Sequence, residues 1–225
     1  MSTPVPTPAP PPDLRARVLS AARAEPVAAR PAASWWRTLT AGLGVGVSFA
    51  ILMSIGGPGA YGRSAAYTLV LAVLWALVGA AGAWAAVARG HSMLGRPASW
   101  RVLVLILTPL ALVLTAQAAG ALWPPPYKVA DLEKHLVCIE FTTLMALGPF
   151  IAFTFLRRGS DPVAPRLTGA AIGAVSGVIG AVGIELRCSH ATFFHVAVGH
   201  VLPVALLAML GALVAGRVVA VRARS

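Results

Sequence analysis

The sequence predicts an all-α integral membrane protein: a six-transmembrane-helix bundle behind a short cytoplasmic N-terminal tail. Three observations predict it. Hydrophobic residues fill 58% of 225 positions and charged residues only 11%, where soluble domains carry about 25% charged residues. Six apolar segments approach or exceed the roughly 20 residues that cross a hydrocarbon core. The arginines gather in alternate connections, as they do when one membrane face retains the positive charge.

The spans are expected at Thr38–Gly57, Tyr67–Ala88, Val102–Trp123, Leu136–Leu156, Leu167–Leu186 and Phe193–Gly216. The expected organisation is a Pro/Ala/Arg-rich tail at 1–37, a membrane domain at 38–216 and a basic C-terminus at 217–225. Residues 1–33 hold no apolar run of signal-peptide length, so the tail is expected to be retained. Arg15, Arg17, Arg23, Arg30 and Arg37 lie before the first span. Arg89, Arg96 and Arg101 follow the second, Arg157, Arg158 and Arg166 the fourth, and Arg217, Arg222 and Arg224 the sixth. With six crossings all of these share one face, which the positive-inside rule makes cytoplasmic. The other face has Arg63, Lys128, Lys134 and Arg187. Both termini are therefore expected in the cytoplasm of a bacterial inner-membrane protein.

In the tail, residues 12–23 read as a short helix. Pro12 and Asp13 suit a first turn, and Leu14, Val18, Ala21 and Ala22 form an apolar stripe. Leu14, Arg15, Arg17, Val18, Leu19 and Ala22 are the candidate partner-binding residues. Such a helix is too short to be stable alone and orders on a partner's groove or on anionic lipid. The net charge of +11 does not indicate direct nucleic-acid binding, because the arginines flank apolar runs instead of forming one patch.

In the fifth segment Gly169, Gly173 and Gly177 leave one helix face without side chains. That face serves either packing within the bundle or a homodimer seam. Pro109, Pro149 and Pro203 each remove a backbone donor inside a span.

The chain has two cysteines, with no CxxC spacing to suggest a zinc finger or thioredoxin site. Cys138 opens the fourth segment and Cys188 is placed at the opening of the sixth, both near the outer boundary. His135, Cys138, Thr142, Met145 and Pro149 share one helical stripe; Cys188, Thr192, His195 and Gly199 form another. If the stripes face each other, the sulfurs meet as a redox pair. They then form a disulfide in an oxidising compartment, or with His135, His190 and His195 they hold a soft metal: zinc, cadmium or copper(I). His200, roughly 18 Å along a helix from Cys188, is expected outside that site. Glu185, Arg187 and His190 read as an ordinary solvated connection. The candidates to neutralise Glu140, an acid just inside the bilayer, are Arg187, Gln117 and His200.

Six crossings, an inner tail with a Leu/Arg-rich helix, outer-edge cysteines on the fourth and sixth helices, and Cys188-Ser189-His190 followed by His195 together resemble the negative-regulator-of-sigma-F family. The resemblance implies a membrane-bound anti-sigma factor. It implies that the tail sequesters an extracytoplasmic-function (ECF) sigma factor, released on heavy-metal or oxidative stress sensed at Cys138 and Cys188. No enzyme activity is implied. The competing readings are a small membrane transporter, which would carry more ionisable groups at the midplane, and an intramembrane serine protease using Ser48 or Ser176 with His200. The latter lacks evident oxyanion donors. A bis-histidine haem site is disfavoured by a single deep histidine.

Overall fold

The computed structural model describes residues 13, 16, 17, 20, 34–57, 64–87, 98–122, 124, 131–160, 163–190 and 192–220. The chain divides into two units, Met1–Arg37 and Thr38–Ser225. In the first, the Arg17 N–H donates to the Asp13 carbonyl at 2.9 Å, and the Ser20 hydroxyl donates to the Arg17 carbonyl at 2.9 Å. Exposed Arg17 and Asp13 pair at 3.6 Å. Of the candidate partner-binding residues, Leu14, Arg15, Val18, Leu19 and Ala22 lie outside the described residues.

The described residues form helices and connections with no strand. The helices are α1 (Ser34–Ser54), α2 (Ala65–Val87), α3 (Ala98–Leu122), α4 (Leu132–Leu156), α5 (Pro165–Glu185) and α6 (Phe193–Val219). The last five are long and apolar enough to cross a membrane; α1 contributes a shorter apolar stretch, Leu39–Ser54. Large apolar side chains such as Leu43, Phe49, Leu69, Leu77, Leu114 and Leu213 are exposed around the bundle. A water-soluble surface rarely shows so broad an apolar face, and lipid tails are its natural solvent.

Local chemistry sets the ends of the helices. Asp131 caps α4 by accepting from the Lys134 N–H at 3.1 Å, Pro165 occupies the first turn of α5, and Thr192 caps α6 by accepting from the His195 N–H at 3.4 Å, each a standard helix start. Beyond α1, Gly56 and Gly57 take positive φ, which glycine adopts without a Cβ penalty.

α5 is the hub, packed against α2, α3, α4 and α6 and buried along most of its length. Gly169, Gly173 and Gly177 meet α6 of the same chain: a Cβ on Gly173 would lie 2.6 Å from the Leu207 carbonyl carbon, and one on Gly177 2.8 Å from Val204 Cα. On the side facing α4, Gly180 abuts Thr142 and Ala146. The glycine stripe thus packs inside the bundle.

Two of the proline helices, α4 and α6, show a common repair. Pro149 has no N–H for the Met145 carbonyl four residues back, and the buried Ser48 hydroxyl of α1 donates to that carbonyl. Pro203 likewise offers nothing to the Gly199 carbonyl, and the Thr142 hydroxyl of α4 donates there at 3.4 Å. Hydroxyls from neighbouring helices make proline tolerable where water is absent.

The basic residues cluster at one end. Arg101 opens α3, Arg157 and Arg158 follow α4, Arg166 opens α5 and Arg217 closes α6. There the turn after α4 is tied to the end of α6, with the Gly159 and Ser160 N–H groups donating to the Val218 and Val219 carbonyls at 3.0 and 2.9 Å.

Candidate functional site

The two cysteines come together at the opposite end. Cys138 lies in the second turn of α4, on a face where His135, Cys138, Thr142, Met145 and Pro149 are all buried. Cys188 follows α5, where its N–H donates to the Ile184 carbonyl at 2.7 Å. It therefore lies just past the fifth helix, in the connection to the sixth, which starts at Phe193. Both thiols are free and buried, with the sulfurs 3.9 Å apart.

Cys188 Sγ lies 3.2 Å from His195 Nε2. The His190 N–H donates to the same sulfur at 3.5 Å. Contact with Cys138 first, and burial second, push the Cys188 thiol up to about 11. Without an added cation, the thiol is therefore the neutral form at physiological pH.

His200 corrects the expectation that kept it outside. Ligand atoms of Cys138, Cys188, His195 and His200 all lie within 4.8 Å of one another, and all four residues are buried. Two features bring His200 in. Cys188 is not on the sixth helix, so a rise counted along that helix from Cys188 overstates the separation. In addition, Val196–Val201 is a π-helical turn, with the Leu202 N–H reaching the Ala197 carbonyl five residues back. A five-residue step on an α-helix turns through about 140°, whereas i→i+5 bonding returns to nearly the same face. The His195 and His200 rings accordingly meet at 5.3 Å. Gly199 makes room: a Cβ there would come 3.1 Å from Cys138 Cβ.

Glu185 corrects a second expectation. It is completely buried. Its Oε2 lies 2.7 Å from His200 Nδ1, and its Oε1 accepts from the Tyr67 hydroxyl at 3.2 Å. Glu140, by contrast, is exposed on the flank of α4, and its candidate partner His200 is engaged by Glu185 instead. Arg187, another candidate, donates to the Gly57 carbonyl at 3.4 Å.

His135 and His190 stand beside the four. Their rings lie 4.8 and 5.3 Å from that of His195, and His135 Nδ1 is 2.7 Å from the Asp131 carbonyl. A cavity of about 380 Å³ lined by Lys134, Phe141, Arg187, Cys188 and His190, among others, leads to the thiols. The site's donor set, two sulfurs and two imidazoles, is that of tetrahedral zinc. His200 Nε2 and His195 Nδ1 are buried without a hydrogen-bond partner among the described residues, and an unmet buried polar atom costs about 1–3 kcal/mol.

The serine-protease arrangement does not form: Ser48 serves the Met145 carbonyl, and no hydrogen bond links a serine to His200 among the described residues.

Among known proteins, a profile of the family described as "Negative regulator of sigma F" matches residues 21–220. No curated protein and no solved structure matches the chain.

Proposed function

The chain belongs to the negative regulator of sigma F family and so restrains a sigma factor, and from that premise we propose that it does so as a six-span anti-sigma factor of the bacterial inner membrane. Its tail, around Leu14, Arg15, Arg17, Val18, Leu19 and Ala22, holds an ECF-type sigma factor on the cytoplasmic side. Cys138 and Cys188 receive heavy-metal or oxidative stress on the periplasmic side.

The observation that carries this reading is the placement of the sulfur pair. It lies 3.9 Å apart at the end opposite Arg101, Arg157, Arg158, Arg166 and Arg217, and the positive-inside rule puts that basic end in the cytoplasm. A disulfide requires the sulfurs to close to about 2.05 Å. A soft metal instead requires two thiolates and imidazole donors already nearby. Either event repacks α4 against the end of α5 and the start of α6, which shifts the population of a two-state bundle.

Deleting residues 1–30 should switch the sigma factor's target genes on without stress, read by a promoter fusion. In the full chain, Cys138→Ser should change both the labelling of Cys188 and the response to cadmium or oxidant. Unchanged labelling and signalling would remove the pair from the mechanism.

A further inference from the structure

We propose that Cys138, Cys188, His195 and His200 form a closed four-coordinate site for a zinc-class divalent cation, with Glu185 and Tyr67 positioning His200. The proposal rests on reading the cysteine end as the protein's input, and it names the ligand set and the ion class. Donors at about 2.3 Å for sulfur and about 2.0–2.1 Å for imidazole nitrogen stand about 3.3–3.8 Å apart at tetrahedral corners. The two sulfurs are 3.9 Å apart, Cys188 Sγ and His195 Nε2 are 3.2 Å apart, and the whole set falls within 4.8 Å. Small rotations of these side chains complete the geometry.

The choice of His200 follows from its two nitrogens. Nδ1 faces Glu185 Oε2 at 2.7 Å, which leaves Nε2, buried and without a hydrogen-bond partner among the described residues, for the metal. A carboxylate behind a ligating histidine fixes its tautomer and raises its basicity. Tyr67 donates to the other Glu185 oxygen at 3.2 Å, which fixes the carboxylate in turn. The His190 N–H on Cys188 Sγ supports thiolate charge. Two sulfurs and two imidazoles select zinc or cadmium over magnesium or calcium, which take oxygen ligands.

As the ion enters, both thiols lose their protons to solvent and two sulfur–metal bonds form. The ligands come from α4, the α5–α6 connection and α6; Glu185 lies on α5 and Tyr67 on α2. One ion thus joins four helices at this end. Lys134 and Arg187 line the way in and oppose a free dication, so exchange is slow.

The test uses the full chain in detergent. Elemental analysis should find about one zinc-class ion per chain. After slow exchange, cobalt(II) should show the strong visible bands of a four-coordinate centre and a sulfur-to-cobalt charge-transfer band. His200→Ala should weaken cobalt binding by about 100-fold or more, and Glu185→Gln by about 10- to 100-fold with the bands retained. His135→Ala and His190→Ala should bind within a few-fold of the unaltered chain. Absence of the charge-transfer band at any cobalt concentration overturns the proposal. So does loss of binding in His190→Ala or His135→Ala with His200→Ala unchanged. If His200→Ala fails to elute as a folded species, Glu185→Gln decides, and unchanged affinity there overturns the role of the Glu185–His200 pair. None of these readouts involves a sigma factor. A chain that binds cobalt this way but captures no sigma factor through its tail would sink the regulatory reading alone.

Discussion

A methyl group added at Gly173 would meet the Leu207 and Ala208 backbone, with Ala208 Cα at 2.9 Å, whereas one added at Gly46 meets nothing within 4 Å. Backbone cannot swing aside as a flexible side chain can, so Gly173→Ala should lose about 1–3 kcal/mol through overpacking. Gly46→Ala should be neutral or slightly stabilising through helix propensity. Unfolding of both variants in mixed detergent micelles measures the contrast. An equal effect at the two positions would mean that α5 and α6 do not cross at the glycine stripe. The glycine spacing was legible in the sequence, but its partner was not. Spacing alone cannot say whether the facing helix belongs to the same chain, and only the approach of Gly211, Leu207 and Val204 answers that. Glu185 was hidden for a related reason. An acid two residues before an arginine, at the end of a helix, reads as solvated until Tyr67, 118 positions away, is seen to reach it.

At the scale of elements, the hydroxyl repairs of proline give a double-mutant cycle. Ser48→Ala should cost about 1 kcal/mol, the usual worth of such a bond, because the Met145 carbonyl then loses its donor from α1. In a Pro149→Ala background the new N–H can serve that carbonyl within α4, and Ser48→Ala should cost much less. The coupling energy from the four unfolding curves reports the repair directly. Purely additive costs would show that Ser48 contributes only through packing. Helix existence and rough limits were readable because each apolar run is long and bounded by proline, glycine or charge. The path inside α6 was not. His200 was set aside for its distance along a helix from Cys188, but Cys188 is not on that helix, and the π-turn at Val196–Val201 brings His200 round to His195. The even spacing of His190, His195 and His200 by five was the available signal, since five is the hydrogen-bond step of a π-helix. Cys188 was misassigned by one element for a simpler reason: it lies in the connection that leaves α5 through a turn at Leu186 and Arg187, and no proline or glycine marks it.

For the whole molecule, orientation is the property on which regulation depends. In a chain with both cysteines changed to serine, a membrane-impermeant maleimide should label Asp131→Cys in spheroplasts, because Asp131 is exposed at the sulfur end. Ser20→Cys should react only after lysis. The reverse pattern would place the tail outside and end the proposed sigma-factor contact. The charge bias that supports this orientation was legible before any fold was known, since it depends only on which connections carry arginine. The convergence of four donors was legible in part. Two helical stripes brought Cys138, Cys188 and His195 into view, whereas His200 joins them only through the π-turn.

The two ends of the bundle are fastened differently. At the arginine end, main-chain bonds from Gly159 and Ser160 clasp the last turn of α6; towards the sulfur end, among the described residues, side chains supply the donors, as Thr142 does to the Gly199 carbonyl and Arg187 to the Gly57 carbonyl. Amide hydrogens of Gly159 and Ser160 should therefore exchange more slowly than those of residues 188–190, and cadmium should slow the latter group selectively. If a disturbance among the thiols swings α4 and α6, this clasp is the fulcrum about which they turn, and what reaches the far side is torque, as in the arms of a clothes-peg.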